Sequence, residues 1–124
     1  MSEKVFKRMP EKDCIFCKIA RKEIPTEKVY ESKNFYAFPD KNPASRGHTL
    51  IIPKKHFVNI MDLPESLASE LIDTIKEIAK KRIKEGAEGF NLVMNNFPAA
   101  GQIVMHAHLH LIPRKKSDGV KINH

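Results

Sequence analysis

The sequence predicts an α+β fold: a five-stranded antiparallel sheet carrying one short and one long helix. Three observations lead there. Five short apolar segments, at 28–31, 35–38, 48–52, 90–95 and 106–112, are each bounded by turn-forming residues. Only one segment, 64–85, has the length and the 3.6-residue spacing of a full helix. Most of the connections between strands are too short for the crossover that parallel strands require. The 124 residues make one domain, which buries about two-thirds of the surface its unfolded chain would expose.

Residues 1–13 mix both charge signs without periodicity and read as a flexible leader. In the segment 14–23, apolar residues at 15, 16, 19 and 20 fit a short amphipathic helix, stopped before Pro25. Ser32-Lys33-Asn34 is the turn of a hairpin joining the first two strands. Arg46-Gly47 leads into the apolar strand at 48–52, which Pro53 ends. Asp62 and Glu65 have the spacing of a capping box for the long helix. Leu67, Leu71, Ile75, Ile78 and Ala79, with Ile72 and Ile83, form its apolar face, and Gly86 stops it. Its acidic residues lie early and Lys80, Lys81, Arg82 and Lys84 late, which suits the helix dipole and needs no nucleic-acid partner. The long helix has a broad apolar face and the strand around Phe90 to Met94 is apolar on both sides, more than one small sheet needs for its own core, which predicts a homodimer. The domain then spans 14–114, with 115–124 a basic, mobile tail.

Composition narrows the function classes. No apolar run is long enough to span a membrane and no hydrophobic signal core opens the chain, so a cytoplasmic protein with no membrane partner is expected. A formal charge of +7, from 22 basic and 15 acidic residues, favours anionic partners, nucleotides or nucleic acid, without choosing between them. Two cysteines cannot build a disulfide framework. Cys14 and Cys17 therefore read as a metal pair or a redox pair, and the redox reading needs a thioredoxin-like βαβ setting that this chain lacks.

The chemistry concentrates in His106-Ala107-His108-Leu109-His110. On a strand, three histidines at alternate positions project from one face, roughly 6–7 Å apart, close enough to address one phosphate, while Ala107, Leu109 and Leu111 face the core. Serine or lysine would fill solvated positions equally well, so the alternation itself points to function. A neutral imidazole attacks phosphorus near neutral pH, and its phosphoramidate product hydrolyses readily. Such chemistry needs a nucleophile held in one tautomer, donors for the phosphoryl oxygens and a grip on the substrate. His108, flanked on both sides, is the best-supported nucleophile. Asn95, Gly101 and Gln102 offer amide and backbone donors, and Asp40 suits ribose hydroxyls. Phe16, Ile19 and Phe38 form either an apolar slot for a base or simply core.

These features together, the 106–112 run, Asn95 with Gly101-Gln102, the stretch from Gly47-His48-Thr49-Leu50 to Pro53-Lys54-Lys55-His56, and the opening from Cys14 to Pro25, resemble the histidine triad (HIT) family, its Hint-like branch most. The resemblance covers 14–114. It implies nucleotide hydrolysis or nucleotidyl transfer on a purine nucleotide of the AMP or GMP type, such as a nucleoside phosphoramidate or dinucleoside polyphosphate. By it His108 attacks the α-phosphate to give a nucleotidyl-histidine, His110 donates to the phosphate, and Asp40 holds the ribose. It also implies that two five-stranded sheets join in a dimer, and that Cys14, Cys17, His56 and His106 hold a structural zinc. His48 is then expected near His106, either supporting that zinc ligand or on the phosphate side; without zinc, His106 would bond to His48 and orient the triad directly. Two features depart from the pattern. Ile103 stands where related hydrolases carry a hydroxyl, and the tail lacks the tryptophan-containing ending of the phosphoramidase members. The rival readings are a non-catalytic nucleotide sensor, a zinc-containing RNA- or protein-binding module, and a metallohydrolase with His106, His108 and His110 as ligands.

Overall fold

The computed structural model describes residues 11–122. Of the expected leader only Glu11–Asp13 falls among them, as one 3-10 turn; the rest of 1–13, and residues 123 and 124 of the tail, lie outside the described residues. Helix α1 (Ile15–Ala20) opens on Cys14, whose Sγ accepts the amide of Cys17 at 3.3 Å, and ends where Lys22 turns left-handed. The strands are β1 (Tyr30–Glu31), β2 (Phe35–Pro39), β3 (Thr49–Pro53), β4 (Gly89–Val93) and β5 (Leu109–Arg114). They form one antiparallel sheet in the order β1-β2-β3-β5-β4.

Alternation along the strands divides the core into two layers. Phe35 and Ala37 of β2, Ile51 of β3 and Leu111 of β5 pack on Ile78 and Ala79 of helix α2 (Ala68–Lys84). Tyr36, Phe38, Leu50 and Ile52 point the other way, onto Phe16, Ile19 and Ala20 of α1. β2 and β3 are therefore apolar on both faces, as strands covered on both sides must be. The α1 side of the sheet carries the chemistry. Glu70 of α2 ties the hairpin turn down, accepting from the Ser32 hydroxyl and from the backbone and side-chain amides of Asn34.

Four sequence expectations need correction. The histidine run is not all strand: β5 begins at Leu109, and of the three histidines only His110 lies on it. The approach is held elsewhere, since the Ala107 amide donates to Phe57 O at 2.6 Å instead of continuing the β3–β5 ladder, which stops at Leu109. The long helix starts at Ala68, after a 3-10 turn at Glu65–Leu67, and Asp62 does not cap it; its carboxylate accepts from Val58 N and closes the preceding loop. Ile72 and Ile83 are half exposed rather than part of the buried face. The tail is tied down as far as Val120: Arg114 bonds Asn91, Asp118 and Val120 O, while Asp118 caps the amides of Lys115 and Val120.

Candidate active site and metal centre

Two clusters flank the approach to β5. In the first, Cys14 and Cys17 from α1 meet His56 and His106, all four buried. Cys14 Sγ lies 3.3 Å from His106 Nδ1; Cys17 Sγ lies 3.2 Å from His56 Nδ1 and 3.4 Å from His106 Nδ1; the two Nδ1 atoms are 3.3 Å apart. A zinc tetrahedron with Zn–N about 2.0–2.1 Å and Zn–S about 2.3 Å has edges of roughly 3.3–3.8 Å. The donors thus already stand close to the corners of such a tetrahedron. The tautomer agrees. Pro53 O can only accept, so the 2.8 Å contact to His106 Nε2 places the ring proton there and turns a lone pair at Nδ1 into the cluster. Burial also favours the neutral ring, holding His106 down at about 4.

The second cluster is Asp40, His48 and His110. His48 Nε2 lies 2.9 Å from His110 Nδ1 and 3.3 Å from Asp40 Oδ2, with His110 Nδ1 3.5 Å from the same oxygen. The spacing resembles a two-histidine, one-carboxylate metal face, but the hydrogens argue otherwise. The Ala44 amide donates to His48 Nδ1 at 2.9 Å, so a neutral His48 carries its proton on Nε2 and has no lone pair there for a metal. The same proton is shared with His110 Nδ1, the nearer acceptor, which leaves His110 with its own proton on Nε2. A fixed backbone amide thereby sets two imidazoles in series. Burial lowers both rings, with His110 held at about 4, so they are neutral near pH 7.

His108 stands between the clusters. Its Nδ1 donates to His106 O at 2.8 Å, again a carbonyl that can only accept, so the lone pair sits on Nε2. Burial disfavours its charged form as well. Phe16 packs edge-on against both His106 and His108, with ring centroids 5.9 and 5.1 Å away, and His108 and His110 are 5.3 Å apart. The arrangement supplies one unprotonated nitrogen and one adjacent N–H, the pairing that attack on a phosphorus centre requires.

The sequence-derived site residues gather here with two changes of role. Of the two places expected for His106, on the phosphate with His108 and His110 or among the metal ligands, it takes the second: it is fully buried and faces the cysteines. His48 bonds to His110, not to His106. Gln102 is not a phosphate donor, because all of its polar atoms are spent: Oε1 accepts from Phe97 N and Asn59 Nδ2, Nε2 donates to Val58 O and Val104 O, and its amide donates to Phe97 O. Asn95 and Gly101 remain together, the Asn95 Nδ2 atom 3.6 Å from where a Cβ on Gly101 would sit, and Gly101 takes a left-handed φ of 94°. Phe16, Ile19 and Phe38 share one apolar cluster with Tyr36 and Leu50. Ile103 is 88% exposed. The sequence reading missed Ala44 and the carbonyl of Pro53, which act through backbone atoms and leave no trace in residue type.

The HIT domain family model matches residues 21–117. The chain is 43% identical over 107 residues to an adenylylsulfatase of Arabidopsis thaliana, covering 86% of this chain and 54% of that protein, so it spans about half the relative's length. It is 40% identical over 108 residues to an adenosine 5'-monophosphoramidase of Candida albicans, covering 82% and 70% of the two chains. The crystal structure of a zinc-bound histidine triad family protein from Mycobacterium smegmatis superposes with a TM-score of 0.84 at 35% identity, covering 90% of this chain and 82% of that one. The histidine arrangement, the five-stranded sheet and these likenesses converge: the chain belongs to the HIT domain family and is one of its enzymes.

Proposed function

We propose that this enzyme cleaves purine nucleotides at the α-phosphate through a nucleotidyl-histidine on His108. One observation carries the reading: the bond from His108 Nδ1 to His106 O, which leaves Nε2 unprotonated and fixed in direction. In the first step Nε2 attacks the α-phosphorus, a P–N bond forms, and the bond from phosphorus to the leaving group breaks. His110 Nε2–H donates to a phosphoryl oxygen as charge builds there. Water then displaces the imidazole, giving a nucleoside monophosphate and the free histidine. Asn95 and the Gly101 backbone line the phosphate side. Asp40 takes the ribose hydroxyls by exchanging its contact with His48, and Phe16, Ile19 and Phe38 offer an apolar edge to the base. The relatives are named for an adenylyl sulfate and an adenosine monophosphoramidate, both of which place a leaving group on an AMP phosphate. That supports an AMP-type substrate for this chain, with a nucleoside phosphoramidate or dinucleoside polyphosphate among the candidates.

A structural zinc held by Cys14, Cys17, His56 and His106 belongs to this reading; its chemistry is to lock α1 against the approach to β5, contributing folding free energy. A dimer joined along β4 belongs to it too, since β4 is a sheet edge that exposes Phe90 and Leu92. Among the described residues no helix is long and apolar enough to cross a membrane, in keeping with a cytoplasmic place of work.

The test is to quench the reaction rapidly with a substrate labelled on the α-phosphate. An acid-labile, base-stable label on the peptide containing His108 is expected, absent in His108→Ala, whose turnover falls by roughly three orders of magnitude. Substantial turnover by His108→Ala, or inversion at phosphorus, would mean direct attack by water.

A further inference from the structure

The segment that carries the Ala44 amide is held from the far side of the sheet. Thr49 sits on β3 facing α2, opposite to His48 and His110, and is completely buried. From α2, Arg82 reaches past the end of the sheet to donate through Nε to Gly47 O at 2.9 Å and through Nη2 to Thr49 Oγ1 at 2.9 Å. The Thr49 hydroxyl donates in turn to the same Gly47 oxygen at 2.8 Å. Gly47 is shaped for this contact. Its φ is +87°, and a Cβ there would lie 3.1 Å from Arg82 Cδ and Nε and 3.2 Å from Pro113 Cγ, so the arginine stem rests on bare backbone. Ser45 closes the other side, donating to Pro113 O at 2.6 Å, and Ser45 O accepts the His48 amide. The Ala44 amide, three residues before Gly47, then has a single direction in which to meet His48 Nδ1.

We propose that Arg82 is a positioning residue for the reaction: by pinning the 44–47 segment it keeps the Ala44 amide on His48 and so holds His48 and His110 in the tautomers that present an N–H to the phosphate. The Arg82 guanidinium gives its bonds to Gly47 O, Thr49 Oγ1 and Glu85, and to no histidine of the site. Its planar fork makes two bonds at fixed angles, which a lysine cannot reproduce. Without it the segment moves, His48 Nδ1 loses its obligatory donor, and the ring is free to carry its proton on either nitrogen. Each His48 molecule protonated on Nδ1 turns a lone pair toward His110, which must then place its own proton on Nδ1 and present a bare Nε2 to the phosphate. Such a site binds nucleotide through the same apolar edge but fails to stabilise the developing charge, so the loss falls on kcat. The inference rests on the reading of His110 as the phosphate donor.

The experiment compares wild type, Arg82→Met and Thr49→Val by nitrogen-15 NMR of the imidazole rings and by steady-state hydrolysis of adenosine 5'-phosphoramidate. Glu85→Gln is the control, because it takes only the charge from the exposed partner of Arg82 Nη1. Wild type and Glu85→Gln are expected to show protonated Nε2 on both His48 and His110. Arg82→Met is expected to show mixed His48 tautomers and a kcat lowered about tenfold with KM changed less than about twofold, since small misplacements cost on that scale. Thr49→Val keeps the volume of the buried side chain and should move both readouts in the same direction by less; if Arg82→Met does not fold, Thr49→Val decides alone. Wild-type tautomers and kcat in both variants would overturn the inference. If the tautomers change but wild type turns over neither the phosphoramidate nor a dinucleoside polyphosphate, Arg82 positions the relay and the proposed reaction is wrong. If wild type turns over and the variants keep wild-type tautomers while losing rate, the reaction stands and the role of Arg82 fails.

Discussion

Acid should unfold this protein earlier than its carboxylates alone would dictate, and His110 shows why. Its imidazole is held at about 4, first by burial and then by repulsion from His108 and His48, against 6.5 when exposed. The folded state therefore resists a proton that the unfolded chain accepts below about 6.5. Stability conferred by the neutral ring is complete above that value and is lost as pH falls from about 6.5 towards 4, below which no further loss comes from this residue. Between pH 7 and pH 5 the linkage relation gives about 2 kcal/mol for this one side chain. With an m-value of about 2 kcal/mol/M, the urea midpoint should drop by about 1 M over that interval. His110→Gln removes the titration, so its midpoint should fall by about 1 M less than wild type's, while acid loss at the cysteine–histidine cluster is common to both proteins. The assay is urea unfolding followed by circular dichroism at the two pH values, with the His110 ring titration by NMR as a direct check. A His110 midpoint near 6.5, or equal pH dependence in wild type and His110→Gln, would refute the reasoning.

Other outcomes follow from the same geometry. Cys14→Ser should bring the zinc content measured by elemental analysis to well below one equivalent per chain and lower Tm by several degrees, because one corner of the tetrahedron is lost. Sedimentation of wild type at micromolar concentration should give about twice the 14.2 kDa chain mass, and Leu92→Arg on the open edge of β4 should shift it towards one. Gln102→Leu removes the acceptor of the Phe97 amide and the donor to the Val58 and Val104 carbonyls, so it should cost about 3 kcal/mol, or about 10 °C in Tm. The nucleotide KM well below that melting temperature should stay within about twofold of wild type, whereas a phosphate ligand would lose affinity without losing stability.

The strands and their antiparallel pairing were legible in the sequence because alternation and turn residues are local signals. So was the residue set Cys14, Cys17, His56 and His106, through the resemblance that residue types at given spacings carry. Alternating histidines look equivalent on an ideal strand, and it is the resemblance that sets His106 among the cysteines; Ala107 gives its amide to Phe57 O, so the chain is off the ladder at His106 and that ring meets Cys14. What escaped was the pairing of His48 with His110. Gln102 reads as a donor beside a glycine, but only the folded loop shows four partners consuming it. Asp62 has the right offset from Glu65 for a helix cap, and the nearer Val58 amide takes it instead. Ile72 and Ile83 fit the helical period, which says which residues share a face but not how wide a strip the sheet covers.

His106 serves two masters through different atoms, its ring in the cysteine cluster and its carbonyl on His108. Substitutions in the two places are therefore not independent. A lineage that discards Cys14 or Cys17 takes a contact from the ring of His106 and leaves it on Pro53 O, which loosens the peptide unit that aims His108 unless a new partner for that ring arises at the same time. Variation at the cysteines should accordingly be concerted, in paired or tripled changes, and single intermediates should lose stability and rate together. The cysteine–histidine half of the domain then acts as an evolutionary ratchet on the half that carries His108 and His110.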